Sequence, residues 1–514
     1  MKDLIKSKES RLWMLASAIF VLVACFLRFV LLDNKPIHFD ESINMWFVKR
    51  IWEEGFFTYD PTNYHGPLYF YLVHMIQIFT GYDFLSTRWV ASIFSVLTLV
   101  ILWWGPVAQR RAFRWAAVFL LISPAMAFYG RSGIHESTFV FFQVLGFLAF
   151  HYWAAGDFKK FWWTFVASML GMMALKETFV ILMIAFVPAA GLAWLLNRKS
   201  FRWSTEYGKL KETLLSEGVK TPLIFMLLLF VGLFTGFGGN PKGIVDFFVA
   251  LMPWLKTGVN GAGHNKPFLH WAELMYKNEF AIVAGFVVAL VFAFRSKWIL
   301  FYATFALANF VIYSLIPYKT PWCIITILWP FAVLAGFGMK ALLEHTSKST
   351  VVESLKIGVL VGVAVLFSGG YSIIHKIQYN DPIDMDHPYV YVNSTYQMKE
   401  FISKIQSVVL KNPLLREKVI QIGAEESWPF PVVFYKFFTL KYEKYDVLTA
   451  PDGVLYIVDP KDQEFFESKL GERKNDFKNF LLETRQGRAK TLVYVQADLF
   501  GGLFSWPLSK IGEL

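Results

Sequence analysis

"HFDESINMWF", residues 38–47, sets two adjacent acids, Asp40 and Glu41, just past an apolar run over 12–32 that is long enough to cross a membrane. Soon afterwards comes "YHGPLYFYLVHMIQIFT" (64–80), apolar but short, and holding His65 and His74. Whether that second stretch crosses the bilayer decides on which side every later loop falls.

The chain as a whole belongs in a membrane. It has 514 residues, 55% hydrophobic and 18% aromatic, with only 17% charged and a mean hydropathy of +0.43. A soluble globular protein carries far less apolar character. The formal charge of +11 does not indicate nucleic acid, because Lys and Arg gather in short stretches between apolar runs and form no basic domain. Cys25 and Cys323 lie in or beside apolar runs and offer no disulfide framework, zinc spacing or catalytic-thiol pattern. The first run, 12–32, is too long for a signal-peptide core and lacks a small-residue cleavage site, so it reads as a retained anchor.

A bilayer core of about 30 Å needs about 20 mostly apolar residues per helix. Eleven spans are predicted on that basis: 12–32, 84–105, 114–130, 136–154, 161–175, 178–196, 221–238, 279–294, 298–315, 321–340 and 356–375. If 65–80 does not cross, the loops holding Lys2, Lys6, Lys8 and Arg11; Arg110, Arg111 and Arg114; Lys159 and Lys160; Arg198, Lys199 and Arg202; Arg295 and Lys297; and Lys340, Lys348 and Lys356 share one side. Basic loops orient toward the cytoplasm, and the asymmetry collapses if 65–80 is a span. The segment is therefore read as an interfacial helix on the outer surface, with the N-terminus cytoplasmic. The predicted division is a transmembrane domain over 1–375 and a small extracytoplasmic α/β domain over 376–514. In the latter, β-type runs at 418–423, 454–459 and 491–496 alternate with helical patterns at 394–410 and 461–483.

With this topology the unusual polar clusters fall on one face: "HFDESIN" (38–44), "YHGP" (64–67), "GRSGIHES" (130–137), "LKET" (175–178), "GHNKP" (263–267) and "PYKTPW" (317–322). Ionisable groups at membrane depth are costly and are candidates for function by default. Asp40, Glu41 and Glu136 stand against Arg131, Lys176, Lys266 and Lys319. Carboxylates can deprotonate a hydroxyl nucleophile and cations can hold a phosphate leaving group, as sugar transfer from a lipid phosphate requires. Each residue also has a plainer reading. Asp40 and Glu41 would suit the first turn of a helix, Arg131 and Glu136 a surface pair, Lys176 and Glu177 interfacial snorkelling, and the prolines beside Lys319 helix ends. No spacing of His38, His264 and His270 supports a metal.

Taken in order, these stretches resemble the GT-C membrane glycosyltransferases. "FDESINMWF" followed by "YHGPLYFYL" is similar to the first outer loop of protein O-mannosyltransferases and lipid A aminoarabinose transferases, which continue into H-P-P-L or P-P-L. "STRWVAS" (86–92) matches an R-x-x-S at the next span, "GRSGIHESTFVFF" (130–142) the second outer loop, and "IPYKTPWCIITILWPFAVLAGFG" (316–338) a K-x-P helix of the aminoarabinose group. Gly66 replaces the first proline of P-P-L, and Glu136 stands where Asp is commoner. The 239–278 loop is too short for the extra domain of the eukaryotic mannosyltransferases, so the prokaryotic flippase-associated group is the nearer resemblance. The resemblance implies a polytopic, mainly α fold with juxtamembrane helices in the first outer loop. It also implies inverting transfer of a sugar from a polyprenyl-phosphate donor to an outer-side glycan, lipid or protein, without a metal cofactor, in the plasma or inner membrane. Asp40 would be the base, with Glu41 and Glu136 beside it. Arg131, Lys176 and Lys319 would face the donor phosphate, His65 would line the juxtamembrane helices, and Trp428 of "ESWPFPVVFYK" (426–436) would serve as a sugar platform or as core. A lipid-sugar flippase and a non-catalytic scaffold of a glycan assembly complex are the competing readings.

Overall fold

The computed structural model describes residues 2–63, 65–198, 203–260, 264–345, 349–442 and 452–503. Tyr64, Lys199, Arg202, Gly263 and Lys348, invoked above, lie outside the described residues. In chain order the helices before the sheet are α1 (Lys2–Phe29), α2 (Phe39–Glu54), α3 (Leu68–Thr80), α4 (Leu85–Trp103), α5 (Arg110–Leu121), α6 (Pro124–Tyr129), α7 (Glu136–Ala154), α8 (Phe158–Met173), α9 (Phe179–Asn197), α10 (Trp203–Leu215), α11 (Glu217–Phe234), α12 (Gly243–Asn260), α13 (His270–Asn278), α14 (Phe280–Val291), α15 (Lys297–Leu315), α16 (Ile324–Glu344) and α17 (Thr350–His375).

Among the described residues, eight helices are long and apolar enough to cross a membrane: α1, α4, α7, α9, α11, α15, α16 and α17. A ninth arises if α13 and α14, bent by 103° at Glu279, form one broken span. The chain is a multi-pass membrane protein. Two predicted spans take shorter forms. The 114–130 run is split by Ser123, whose hydroxyl accepts the Met126 N–H, and by Pro124, which starts α6. The 161–175 run becomes the 16-residue α8.

α16 is the centre of the bundle, buried along most of its length. Its glycines let neighbouring backbones approach, as small residues do between membrane helices. A Cβ at Gly336 would lie 2.3 Å from the Ala112 carbonyl oxygen of α5, and one at Gly338 would lie 2.6 Å from Ala289 Cα of α14. By contrast α1 turns Leu12, Met14, Leu22 and Phe26 outward, which is favourable only where lipid replaces water. The 13 residues of α3 reach only about 20 Å at 1.5 Å per residue, short of the bilayer core. The sequence reading missed α12, an amphipathic helix inside what was read as the 239–278 loop. It leaves Val245, Phe248, Val249, Met252, Leu255 and Val259 exposed.

After α17 the chain builds a five-stranded sheet in the order β2-β1-β3-β5-β4. The strands are β1 (Val419–Ile422), β2 (Thr439–Tyr442), β3 (Leu455–Val458), β4 (Phe477–Arg485) and β5 (Ala489–Gln496), accompanied by α18 (Tyr396–Lys411), α19 (Phe430–Val433), α20 (Gln463–Leu470) and α21 (Ala497–Phe500). β1 runs parallel to β2 and β3, while β5 runs antiparallel to β3 and β4. The helical pattern expected over 461–483 is corrected: α20 ends at Leu470, a 3-10 segment follows over Gly471–Asp476, and β4 begins at Phe477. Phe480, Leu482 and Thr484 are buried at every second residue there, a strand period that the apolar but exposed Leu481 and the polar, buried Thr484 obscure in the sequence.

Candidate active site at one end of the helical bundle

The two acids that opened the sequence have different surroundings. Glu41 is fully buried and forked onto Arg88 of α4, with Oε2 2.7 Å from Nη2 and Oε1 3.0 Å from Nε. It also accepts the Gly133 N–H at 2.7 Å and the His38 N–H at 3.0 Å. Arg88 donates further to the carbonyls of Leu32, Lys35 and Pro36. This one pair therefore ties the α1–α2 connection, α4 and the 130–135 loop together. Burial alone would raise the Glu41 pKa, but the guanidinium outweighs it and holds the carboxyl at about 2. Glu41 acts as the capping acid of α2 and is not among the residues that line the cavity.

Asp40 points the other way, half-buried, into a cavity of about 350 Å³. Its walls include His65, His135, Glu136, Lys176 and Glu177, with Ile181, Trp254, Tyr313 and Trp322 among the apolar and aromatic lining. The polar end is assembled by backbone pairing. His65 and Lys176 form an antiparallel bridge, the Gly66 N–H donates to Leu175 O at 3.0 Å, and the Leu68 N–H donates to Ala174 O at 3.0 Å. Gly66 is what permits this approach, since a Cβ there would sit 2.2 Å from the Ala174 carbonyl oxygen. The glycine that departs from the P-P-L pattern thus has a structural reason here.

Within the cavity Lys176 Nζ donates to Glu136 Oε1 at 2.5 Å. Burial opposes the Lys176 charge, but Glu136 prevails and the ammonium pKa is raised, so it stays charged. Burial, then the Glu136 carboxylate, pushes Asp40 up to about 7. Burial likewise pushes Glu177 up to about 8; it is 1% exposed and accepts from the Tyr59 hydroxyl at 3.4 Å. His65 is driven down to about 3 by burial and Lys176, and its ring lies 4.8 Å from that of His135. The chemical content is a carboxyl that ionises near neutral pH, a fixed cation and an apolar wall.

No family model matches the chain, and no curated protein matches it. Solved structures do. ArnT from Cupriavidus metallidurans in the apo state is 14% identical, with a TM-score of 0.63 over 96% of this chain and 99% of that one. The same protein bound to undecaprenyl phosphate is 12% identical, with a TM-score of 0.61 over 94% and 98%. The chain has the GT-C fold. At such identities the likeness concerns the fold alone.

The remaining sequence candidates lie away from the cavity. Arg131 donates to the carbonyls of Leu27 and Leu31 and stacks on Tyr379, so its charge is spent closing the end of α1. Lys319 is buried with Nζ on the Ile316 and Lys266 carbonyls, while its neighbours Tyr318 and Thr320 line the cavity. Lys266 is exposed and does not line it. Trp428 packs edge-on against Phe39 and Trp46, docking the C-terminal domain on α2. Other residues at the site were not singled out from the sequence. Arg88 carried a signal, being an arginine inside an apolar span within the quoted "STRWVAS". His135 lay within a quoted cluster without a role, Glu177 had only the snorkelling reading, and nothing in an apolar run marks Trp254 or Tyr313 as cavity wall.

Proposed function

We propose that this protein is a glycosyltransferase that moves a sugar from a polyprenyl-phosphate donor to an acceptor on the extracytoplasmic side of the membrane. The observation that carries this reading is the single cavity in which Asp40 faces the Glu136–Lys176 pair against an apolar and aromatic lining. Asp40, once ionised, takes the proton of the acceptor hydroxyl as its oxygen attacks the anomeric carbon. The bond from that carbon to the phosphate oxygen breaks with its electron pair on the oxygen, and the configuration inverts. Lys176 neutralises the departing polyprenyl phosphate, Glu136 holds Lys176 in place, and neutral His65 and His135 bound the polar end. The polyprenyl chain lies along Ile181, Trp254 and the end of α15. The step is written without a metal.

In this reading the N-terminus is cytoplasmic and the C-terminal sheet lies outside, which the distribution of basic loops supports. Reporter fusions after residues 82 and 109 are expected outside and inside respectively; an outer reading at both positions would sink that arrangement. Function is tested by incubating the purified chain with undecaprenyl-phosphate sugars and a lysate of acceptors. Release of undecaprenyl phosphate with the sugar recovered on an acceptor is expected. Donor binding without release, or lipid movement across a proteoliposome without release, would favour the scaffold or flippase.

A further inference from the structure

The β4–β5 hairpin of the C-terminal domain approaches two residues of the cavity, Asp40 through its neighbour Phe39 and Trp322 through Tyr391. The turn between β4 and β5 is fastened to the segment 391–395, with the Gln486 N–H donating to Asn393 O at 3.0 Å and the Thr395 hydroxyl to Glu483 O at 3.0 Å. That segment is paired in turn with the entry to α2, the Phe39 N–H donating to Val392 O at 3.1 Å and the Ser394 N–H to Ile37 O at 2.9 Å. Two successive backbone pairings therefore fix the hairpin relative to Asp40.

The hairpin carries two arginines. The Arg485 guanidinium lies 4.5 Å from the ring centre of Phe39, the residue before Asp40, and pairs with Glu426 at 2.6 Å. Its Nε is buried without a hydrogen-bond partner, an orphaned donor of the kind native structures rarely leave. Arg488 is exposed and sits 5.6 Å from the ring of Tyr391. Tyr391 bonds His264 Nδ1 at 2.8 Å and meets Trp322 edge-on at 5.8 Å, and Trp322 is cavity wall. The mouth thus combines half-exposed rings with guanidinium groups, while the cavity below holds acids.

In the transferase reading the donor phosphate is met inside by Lys176, which leaves the exposed Arg488 and the unpartnered Nε of Arg485, whose other edge holds Glu426, for a second anion. Aromatic faces suit the C–H faces of a sugar ring, and the arginine fork suits a carboxylate or phosphate in two-point contact. We propose that Trp322, Tyr391, Arg485 and Arg488 form the acceptor subsite, and that the acceptor is a saccharide bearing a carboxylate or phosphate near the hydroxyl that receives the sugar. The proposal rests on the transferase reading.

The test measures binding to the full-length protein in nanodiscs of tetragalacturonate, of a tetramannoside carrying a 6-phosphate, and of neutral maltotetraose, with undecaprenyl phosphate as a parallel probe. An acidic oligosaccharide is expected to bind at least about tenfold tighter than the neutral one, and the two acidic probes separate carboxylate from phosphate. Arg485→Gln with Arg488→Gln should erase that preference and leave undecaprenyl phosphate binding unchanged. Arg488→Gln alone, at an exposed position, should weaken it in a protein whose fold is not at risk. Equal binding of acidic and neutral probes, no binding of either acidic probe, or a preference that survives both substitutions would overturn the proposal. Release of undecaprenyl phosphate from its sugar conjugate, measured on the wild type, separates the two ideas. Release without acidic preference removes the subsite and keeps the transferase, whereas acidic preference without release removes the acceptor role together with the transferase reading.

Discussion

Asp40 and Glu41 are neighbours in the chain with opposite fates, and the difference is one of partners. Glu41 meets Arg88 and two backbone donors; Asp40 meets another carboxylate. Two outcomes follow at this scale. A base works only when ionised, so with Asp40 raised to about 7 the rate of transfer should climb as pH rises through about 7 and level off above it. The groups acting on Asp40 are Glu136, Lys176, Glu41 and Arg485, and kcat/KM measured between pH 5.5 and 8.5 checks the profile. Glu41→Gln removes half of a buried pair and should cost about 3–5 kcal/mol of stability, read by thermal unfolding. Since the Glu41 pKa falls on folding from 4.5 to about 2, the stability it contributes is complete above about pH 4.5 and is lost as pH falls toward 2. The sequence put both acids at the site because adjacency is visible there. The resemblance made Asp40 the base with Glu41 beside it, but the partner of Glu41 was not legible, because Arg88 lies 47 residues away.

Elements were legible where period and length agreed. The long apolar helices, the short apolar α3 and the strands β1, β3 and β5 fall where hydropathy and alternation put them. The misses have local causes. Ser123–Pro124 interrupts a run that composition alone leaves continuous. α12 is amphipathic and shorter in its apolar stripe than a span requires. β4 hides its alternation because apolar Leu481 faces out and polar Thr484 faces in. At this scale Gly66 makes a test. Gly66→Ala should push the 65–68 segment off the α8–α9 connection, since its Cβ meets the backbone carbonyl of Ala174 and not a flexible side chain. The expected result is a loss of transfer much larger than that of Gly191→Ala, whose site is open, with both measured as kcat/KM beside melting temperature.

At the scale of the whole molecule, the cavity exists because ends of separate elements converge. α2, His65, the start of α7 with the loop before it, the α8–α9 link, the second half of α12, the end of α15 and the 316–323 link to α16 each supply part of its wall. The sequence indicated that polar clusters share one face, but a shared face holds more residues than a cavity does. Arg131, Lys319, Lys266 and Trp428 belong to that face and lie outside the cavity, because their charges or rings are taken up by carbonyls, solvent or the docked domain. In the proposed transfer one carboxylate of this cavity, Asp40, performs the chemistry. The direct measurement is single-turnover sugar transfer by Asp40→Asn with donor saturating, beside its affinity for undecaprenyl phosphate and its melting temperature. Wild-type affinity and melting are expected, with transfer lost by a factor of at least about a hundred, the lower range for a general base. Transfer at the wild-type rate in a folded, donor-bound Asp40→Asn protein would contradict it.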